Sequence, residues 1–100
     1  PNAKVRVLVQ NGVGSPGLNA AARQQLVDAG FTYVNGGNAE AFGVVETAIV
    51  VPDSSAESLQ WGADIATALG VPTSAVQVAT TGQSVADVIV VLGADFVPTS

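Results

Sequence analysis

Hydrophobic positions along the chain follow two periods, and each change of period marks a predicted element. The run VRVLV at 5–9 is rich in β-branched residues and of strand length, which predicts a first strand. From 18 to 29 the apolar spacing becomes helical, and Gly30 followed by Phe31 predicts a Schellman motif at the end of that helix. The inward stripe of this helix is predicted to contain Leu18, Ala21, Ala22, Gln25, Leu26 and Ala29.

The second part of the chain repeats these signals. Ser54 and Glu57 form an S-x-x-E capping box, which predicts the start of a second helix, and Gly70 predicts its end. The residues predicted to face inward from this helix are Leu59, Gly62, Ala63, Ala66 and Leu69. Further strands are predicted at 31–34, 47–51, 75–79 and 86–93, with turns at 35–38 and 80–84.

Each half of the chain therefore carries a strand, a loop, a helix, a glycine stop and a strand, in that order. A shift of 40 residues superimposes the two helices in phase, placing Leu18 on Ser58, Ala22 on Gly62, Leu26 on Ala66 and Gly30 on Gly70. This pseudo-repeat predicts an α/β (α+β) two-layer sandwich of split βαβ plan, with two helices on one mixed sheet of four to five strands. We expect residues 1–100 to form a single domain.

The last predicted strand does not match an open sheet face. Residues 88–92 are apolar on both faces, whereas a strand with one face in water should alternate apolar and polar residues. The strand would then be central in the sheet. Its far face would be shielded either by the 35–46 segment or by another domain or subunit, and the periodicity leaves both explanations open.

Composition narrows the possible functions. The chain has 100 residues, of which 48% are hydrophobic, so one core is feasible without disulfides, and it contains no cysteine, histidine or methionine. Three basic residues against eight acidic ones give a net charge of −5. This balance disfavours nucleic acid and anionic lipid surfaces as partners.

The segment QNGVGSPGLN at 10–19 contains G-x-G-x-x-G between the first strand and the first helix. A dinucleotide site also needs an acidic residue near 32–36, where none stands, and Pro16 has no N–H to offer a phosphate. The glycine pattern alone still leaves a small nucleotide-binding enzyme that uses this loop as the alternative function. We favour glycines that shape the backbone, with Gly17 allowing the helix to approach the sheet closely. The loop supplies four candidate binding residues, Asn11, Gly12, Gly14 and Ser15.

No group of residues in the sequence is suited to catalysis. Acid–base chemistry favours a histidine or paired carboxylates, whereas the acidic residues here are scattered and suit helix capping or a solvated surface. We therefore predict no catalytic residue, no cofactor and no metal. Trp61 lies off the inward stripe of the second helix and is the fifth candidate binding residue, since its ring could pack on a sugar or a partner. The alternative is partial burial on the flank of the helix.

Two stretches near the ends of the chain resemble a known family. VRVLVQNGVGSPGLNAAARQQLVDAGF is similar to the opening of the LytR C-terminal domain, whose pattern is a valine-rich strand, N-G-x-x-x-x-G-L, an alanine-rich helix and G-F. ADVIVVLGADF resembles the closing D-V-x-V-x-L-G-x-D-F of that family. With GNA at 37–39 and the TAIVV strand between them, the resemblance covers nearly the whole chain.

The resemblance implies a small α/β accessory domain on the outer side of the bacterial cytoplasmic membrane. Such domains follow the catalytic domain of LytR-CpsA-Psr proteins, which ligate glycopolymers to peptidoglycan, or stand alone in actinobacterial envelope proteins. The implied partners are a LytR-CpsA-Psr catalytic domain, another envelope protein, peptidoglycan or a wall glycopolymer. Because the sequence begins without methionine, we expect it to belong to a longer protein that supplies the membrane anchor.

Overall fold

The computed structural model describes residues 5–14, 17–38, 43–79 and 86–96. In chain order the elements are β1 (Arg6–Asn11), α1 (Leu18–Asp28), β2 (Thr32–Asn38), β3 (Ala48–Val51), α2 (Ala56–Leu69), a 3-10 turn (Thr73–Ala75), β4 (Val76–Val78) and β5 (Val88–Leu92). The succession of strand, helix and strand occurs twice, as the pseudo-repeat predicts.

The five strands form one mixed sheet in the order β2-β1-β5-β3-β4. β1 is parallel to both β2 and β5, β3 is parallel to β4, and β3 and β5 are antiparallel. Each half of the chain is thus a parallel βαβ unit, and the last strand joins the two units at the centre of the sheet. The predicted fold class and the central position of the last strand are confirmed.

Both helices cover the same face of the sheet, and they contact each other through the Gln25 side chain, whose Nε2 donates to the Ala68 carbonyl oxygen at 2.9 Å. The hydrophobic core lies between the helices and this face. Because successive strand residues point to opposite faces, the three central strands β1, β5 and β3 contribute alternate side chains to the core. Those with no exposed surface are Val7, Val9, Ile49, Val51, Val88 and Val90, together with Leu92.

The helices end as their glycines predict. The Phe31 N–H donates to the Leu26 carbonyl oxygen and the Gly30 N–H to that of Val27, both at 3.0 Å, which is the Schellman pair of bonds. Gly30 has a φ of 94° and Gly70, at the end of α2, a φ of 73°. Both values lie in the left-handed region that favours glycine, so the two predicted stops are confirmed.

The predicted start of α2 is one residue early. Ser55, rather than Ser54, is the N-cap, and its Oγ accepts a hydrogen bond from the Ser58 N–H at 3.2 Å. Either of the two adjacent serines could serve as the N-cap by local sequence. The helix begins after the second serine, in the register that buries its apolar stripe. Asp53 accepts from the Ser55 N–H at 2.9 Å, and its hydrogen bonds to Ser55 lower the pKa of the Asp53 carboxyl. Glu57 lies in the first turn of α2, where its negative charge interacts favourably with the positive end of the helix dipole.

The inward face of α2 is rotated relative to the prediction. Leu59 is 43% exposed, whereas Ser58 and Ile65 are buried beside three residues of the predicted stripe. Periodicity locates such a stripe, but the position of the neighbouring helix and strands decides which residues at its margin are covered. In α1, Ala29 is exposed because it follows the last helical residue, and the buried set is Leu18, Ala22 and Leu26.

Residues 35–38 form the second half of β2 rather than the predicted turn. They pair with the end of β1, with Asn38 opposite Asn11 after an irregularity in the register. Pairing with β1 satisfies backbone groups of this segment, and that tertiary gain overrides the local turn preference of N-G-G-N. The turn predicted at 80–84 lies outside the described residues.

Candidate functional site

The glycine loop is closed by hydrogen bonds from three successive N–H groups. The Gly12 N–H donates to the Leu92 carbonyl oxygen at 3.0 Å. The Val13 and Gly14 N–H groups both donate to Oδ1 of Asn11, at 2.9 and 2.8 Å. A phosphate-binding loop needs such N–H groups free and convergent, whereas here they already have acceptors within the protein.

Gly12 and Gly17 are required for different reasons. A Cβ on Gly12 would lie 2.6 Å from a β5 carbonyl oxygen and 2.8 Å from Cγ2 of Val44, so tight packing excludes a side chain. Gly17 caps α1 with a φ of 80° and has open space around it. The backbone conformation, and not the predicted close approach to the sheet, therefore favours glycine there. Gly14 also has a positive φ, of 86°, and Ser15 lies outside the described residues.

Replacing Asn11 with alanine should lower the free energy of unfolding by about 1–2 kcal/mol, because two N–H groups lose their shared acceptor. Asn11→Asp keeps an oxygen at the same place and should recover most of the loss. Urea unfolding of the parent chain and both variants measures the difference. Equal losses in the two variants would show that Oδ1 does not hold the turn.

Asn19, which the sequence analysis missed, ties the start of α1 to the strands beneath it. Its Nδ2 donates to the Gly37 carbonyl oxygen at 3.1 Å and to that of Val9 at 3.4 Å. Its Oδ1 is buried without a hydrogen-bond partner. The available signal was an asparagine in the first turn of the predicted helix, directly after the inward-facing Leu18.

The segment 43–47 connects the glycine loop to the end of β5. The Val44 N–H donates to the Gly12 carbonyl oxygen at 3.1 Å, and the Val44 carbonyl oxygen accepts from the Ala94 N–H at 2.9 Å. Val44 thus bridges two turns that are far apart in sequence. These bonds explain why Gly12 must pack so closely.

Thr47 and Asp95 fix the last part of this segment. The Thr47 side chain is buried, and its Oγ1 donates to Oδ1 of Asp95 at 2.7 Å and accepts from the Gly93 N–H at 3.0 Å. Oδ1 of Asp95 also accepts from the Thr47 N–H at 2.8 Å. Beside this pair lies a cleft of about 320 Å³, with apolar lining from Val45, Pro72 and Ala75 and polar lining from Glu46, Ser74 and Asp95.

The sheet face opposite the helices, which we call the open face, carries an apolar row across four strands. In the row Val34 neighbours Leu8, Leu8 neighbours Ile89, and Ile89 neighbours Val50. These side chains are half-buried, and both described helices lie on the other side of the sheet. An apolar patch of this kind on a small domain is typical of an interaction surface.

The 35–46 segment, one of the two predicted shields for this face, has described parts in two places. Residues 35–38 belong to β2 itself, and residues 43–46 lie at the end of β5. Residues 39–42 lie outside the described ranges. The described parts of the segment therefore lengthen β2 and lie beside the end of β5.

Trp61 lies in the second turn of α2, on a different element from the loop candidates. It is half-buried and packs against the core from the helix layer. This placement agrees with partial burial on the helix flank. Asn11, Gly12 and Gly14 lie together in one turn at the end of β1.

In the described ranges, no three acidic, histidine or cysteine side chains are arranged as a metal site would require. Neither described helix has the length and hydropathy needed to cross a membrane.

Together the fold and the loop define a small two-layer α/β domain in which the early glycines shape a turn between strand and helix. The model of one family matches residues 4–96, and its description is LytR cell envelope-related transcriptional attenuator. The chain belongs to this family, the LytR C-terminal domain, which is related to the cell envelope. No curated protein and no solved structure matches the chain. The predicted resemblance is confirmed over nearly the whole sequence.

Proposed function

We propose that this chain is a non-catalytic binding domain of a cell-envelope protein and that it docks a protein partner through the open face. The single observation that carries the proposal is the apolar row of Val34, Leu8, Ile89 and Val50. Removing such a surface from water is favourable, at about 25 cal/mol for each Å² of apolar area. The partner we propose is a LytR-CpsA-Psr catalytic domain or another envelope protein, outside the cytoplasmic membrane.

The geometry favours a protein partner over a glycan. A glycan site would use a stacking aromatic ring and free polar groups, yet Trp61 is half-buried against the core and three loop N–H groups have internal acceptors. The apolar row crosses four strands of the open face, which suits the buried centre of a protein interface.

A charged residue placed on the open face should weaken partner binding while the domain still folds. Ile89→Lys should weaken capture by a LytR-CpsA-Psr catalytic domain at least about tenfold, because an ammonium group would have to be desolvated at the centre of the interface. The lysine stem can lie along the half-buried surface, so the free domain should still fold. Thr67→Lys, at an exposed position on α2, adds the same charge to the helix layer and should leave capture unchanged.

Capture is measured by a pull-down with purified domains, and folding by thermal unfolding of each variant. Equal capture by the parent chain and folded Ile89→Lys would contradict docking at this face. Titration with soluble peptidoglycan fragments, followed by amide chemical shifts, tests the glycan partner. Chemical-shift changes confined to Trp61 and residues 11–14 would indicate that the domain binds a glycan there, and would contradict docking of a protein at the open face.

The nucleotide-enzyme alternative has its own test. A ligand that binds only the folded state must raise the melting temperature, so NAD, ATP and UDP-sugars should leave it unchanged if the glycines only shape the turn. A consistent increase with one of them would favour the enzyme.

A further inference from the structure

The two ends of the open face differ in charge. At one end, the Arg6 N–H donates to Oδ2 of Asp87 at 2.8 Å, and Nε of Arg6 lies 3.8 Å from the same oxygen, so these opposite charges offset each other. At the other end, the start of β3 and the end of β5 lie beside the cleft that Glu46 and Asp95 line. Both of these carboxylate residues are exposed.

No described basic residue offsets the carboxylates at the cleft. The whole sequence has only Lys4, Arg6 and Arg23 as basic residues, and Lys4 lies outside the described ranges. Arg6 pairs with Asp87 at the far end of the face. Arg23 lies on α1 in the helix layer, near Tyr33, where its charge partly opposes the rise that burial causes in the tyrosine pKa.

The cleft also has an apolar side that suits a long cationic side chain. Val45 is 72% exposed and faces the cleft together with Pro72 and Ala75. Lysine and arginine pack their aliphatic stems on such surfaces while the charged group reaches acidic neighbours. The carboxylates of Glu46 and Asp95 would meet that group.

We propose that the open face binds a heterologous protein whose apolar centre covers the Leu8, Ile89 and Val50 row and whose lysine or arginine enters the cleft. This inference rests on the proposed function and adds the chemistry of the partner. A second copy of this chain is the poorer occupant, since each copy carries a net charge of −5. In a two-fold pair the acidic end would meet either itself or the Arg6–Asp87 end, where the charges of these two described residues offset each other.

Two synthetic peptides test the charge preference. One is a blocked hexapeptide in which valine alternates with lysine, and the other has glutamate in place of each lysine. The lysine peptide should shift the amide signals of Leu8, Val50, Ile89 and Glu46 in the isotope-labelled domain, whereas the glutamate peptide should not. Raising the salt concentration from about 50 to about 500 mM should weaken the lysine peptide at least about tenfold, because the contact is exposed to screening.

A pair of charge reversals provides the control. Glu46→Lys should weaken the lysine peptide about tenfold and admit the glutamate peptide, since the sign of the cleft changes. Asp28→Lys makes the same change in net charge at the exposed end of α1, in the helix layer, and should leave the preference unaltered.

Four results would overturn the inference. They are equal affinity for the two peptides, no binding at the face, the same loss from both charge reversals, and a sedimenting dimer of the parent chain that Ile89→Lys dissociates. If Ile89→Lys abolishes capture while Glu46→Lys changes nothing, the proposed function stands and the basic partner does not. If the domain binds the lysine peptide and not the glutamate peptide, but a LytR-CpsA-Psr domain does not capture it, that partner is wrong. The preference of the open face for a basic partner is then retained.

Discussion

Replacing Gly93 with alanine is expected to lower the free energy of unfolding by about 3 kcal/mol or more, because the new methyl group has no room. Its Cβ would lie 2.6 Å from the Thr47 backbone nitrogen and 2.8 Å from the Glu46 carbonyl oxygen. Both contacts are backbone, so no side-chain rotation relieves them. The 43–47 segment would have to move away from the end of β5, which would break the hydrogen bonds that join Thr47 to Gly93 and Asp95.

Gly17→Ala is the matched control for this substitution. Gly17 has open space around it and a φ of 80°, so alanine there should cost only the left-handed backbone, about 1 kcal/mol. Urea unfolding of both variants gives the comparison. A Gly93→Ala protein as stable as Gly17→Ala would show that β5 and the 43–47 segment are further apart than the structure places them.

Thr47→Val is expected to lower the free energy of unfolding by about 2–3 kcal/mol, although the two side chains have nearly the same shape. The substitution leaves the buried Gly93 N–H without its 3.0 Å acceptor and removes the 2.7 Å bond to the Asp95 carboxylate. Thr67→Val, at an exposed position on α2, should change stability by less than about 0.5 kcal/mol.

A double-mutant cycle with Asp95→Ala identifies the bond itself. Both single changes remove the same hydrogen bond between Thr47 and Asp95, so the double variant should be more stable than the sum of the single losses implies. Strict additivity would mean that the carboxylate and the hydroxyl act independently. Urea unfolding of the four proteins measures the cycle.

Local signals in the sequence were sufficient for the order of the elements and for the ends of both helices. The strands, both helices and the Schellman stops at Gly30 and Gly70 follow from period and glycine placement, since these depend on neighbours within a few residues. The start of α2 was missed by one residue because two serines satisfy the same local rule. The N-G-G-N turn was missed because strand pairing with β1 decides that segment.

The candidate site was less accessible from sequence because its contacts are distant along the chain. Thr47 and Asp95 are 48 positions apart, and no local pattern links a threonine before one strand to an aspartate after another. The role of Gly12 likewise depends on Val44 and β5. The apolar character of residues 88–92 on both faces was visible, but only the sheet order shows that Val34, Leu8 and Val50 continue it.

The central position of β5 has a consequence for the order of folding. β1 and β3 are not neighbours in the sheet, so neither βαβ unit extends into the other until residues 88–92 are inserted between them. During synthesis these residues leave the ribosome after both units, and the gap they fill joins segments of large sequence separation. The chain should therefore collapse late and slowly for its size, with the two units held as separate, weakly structured pieces until the final strand arrives.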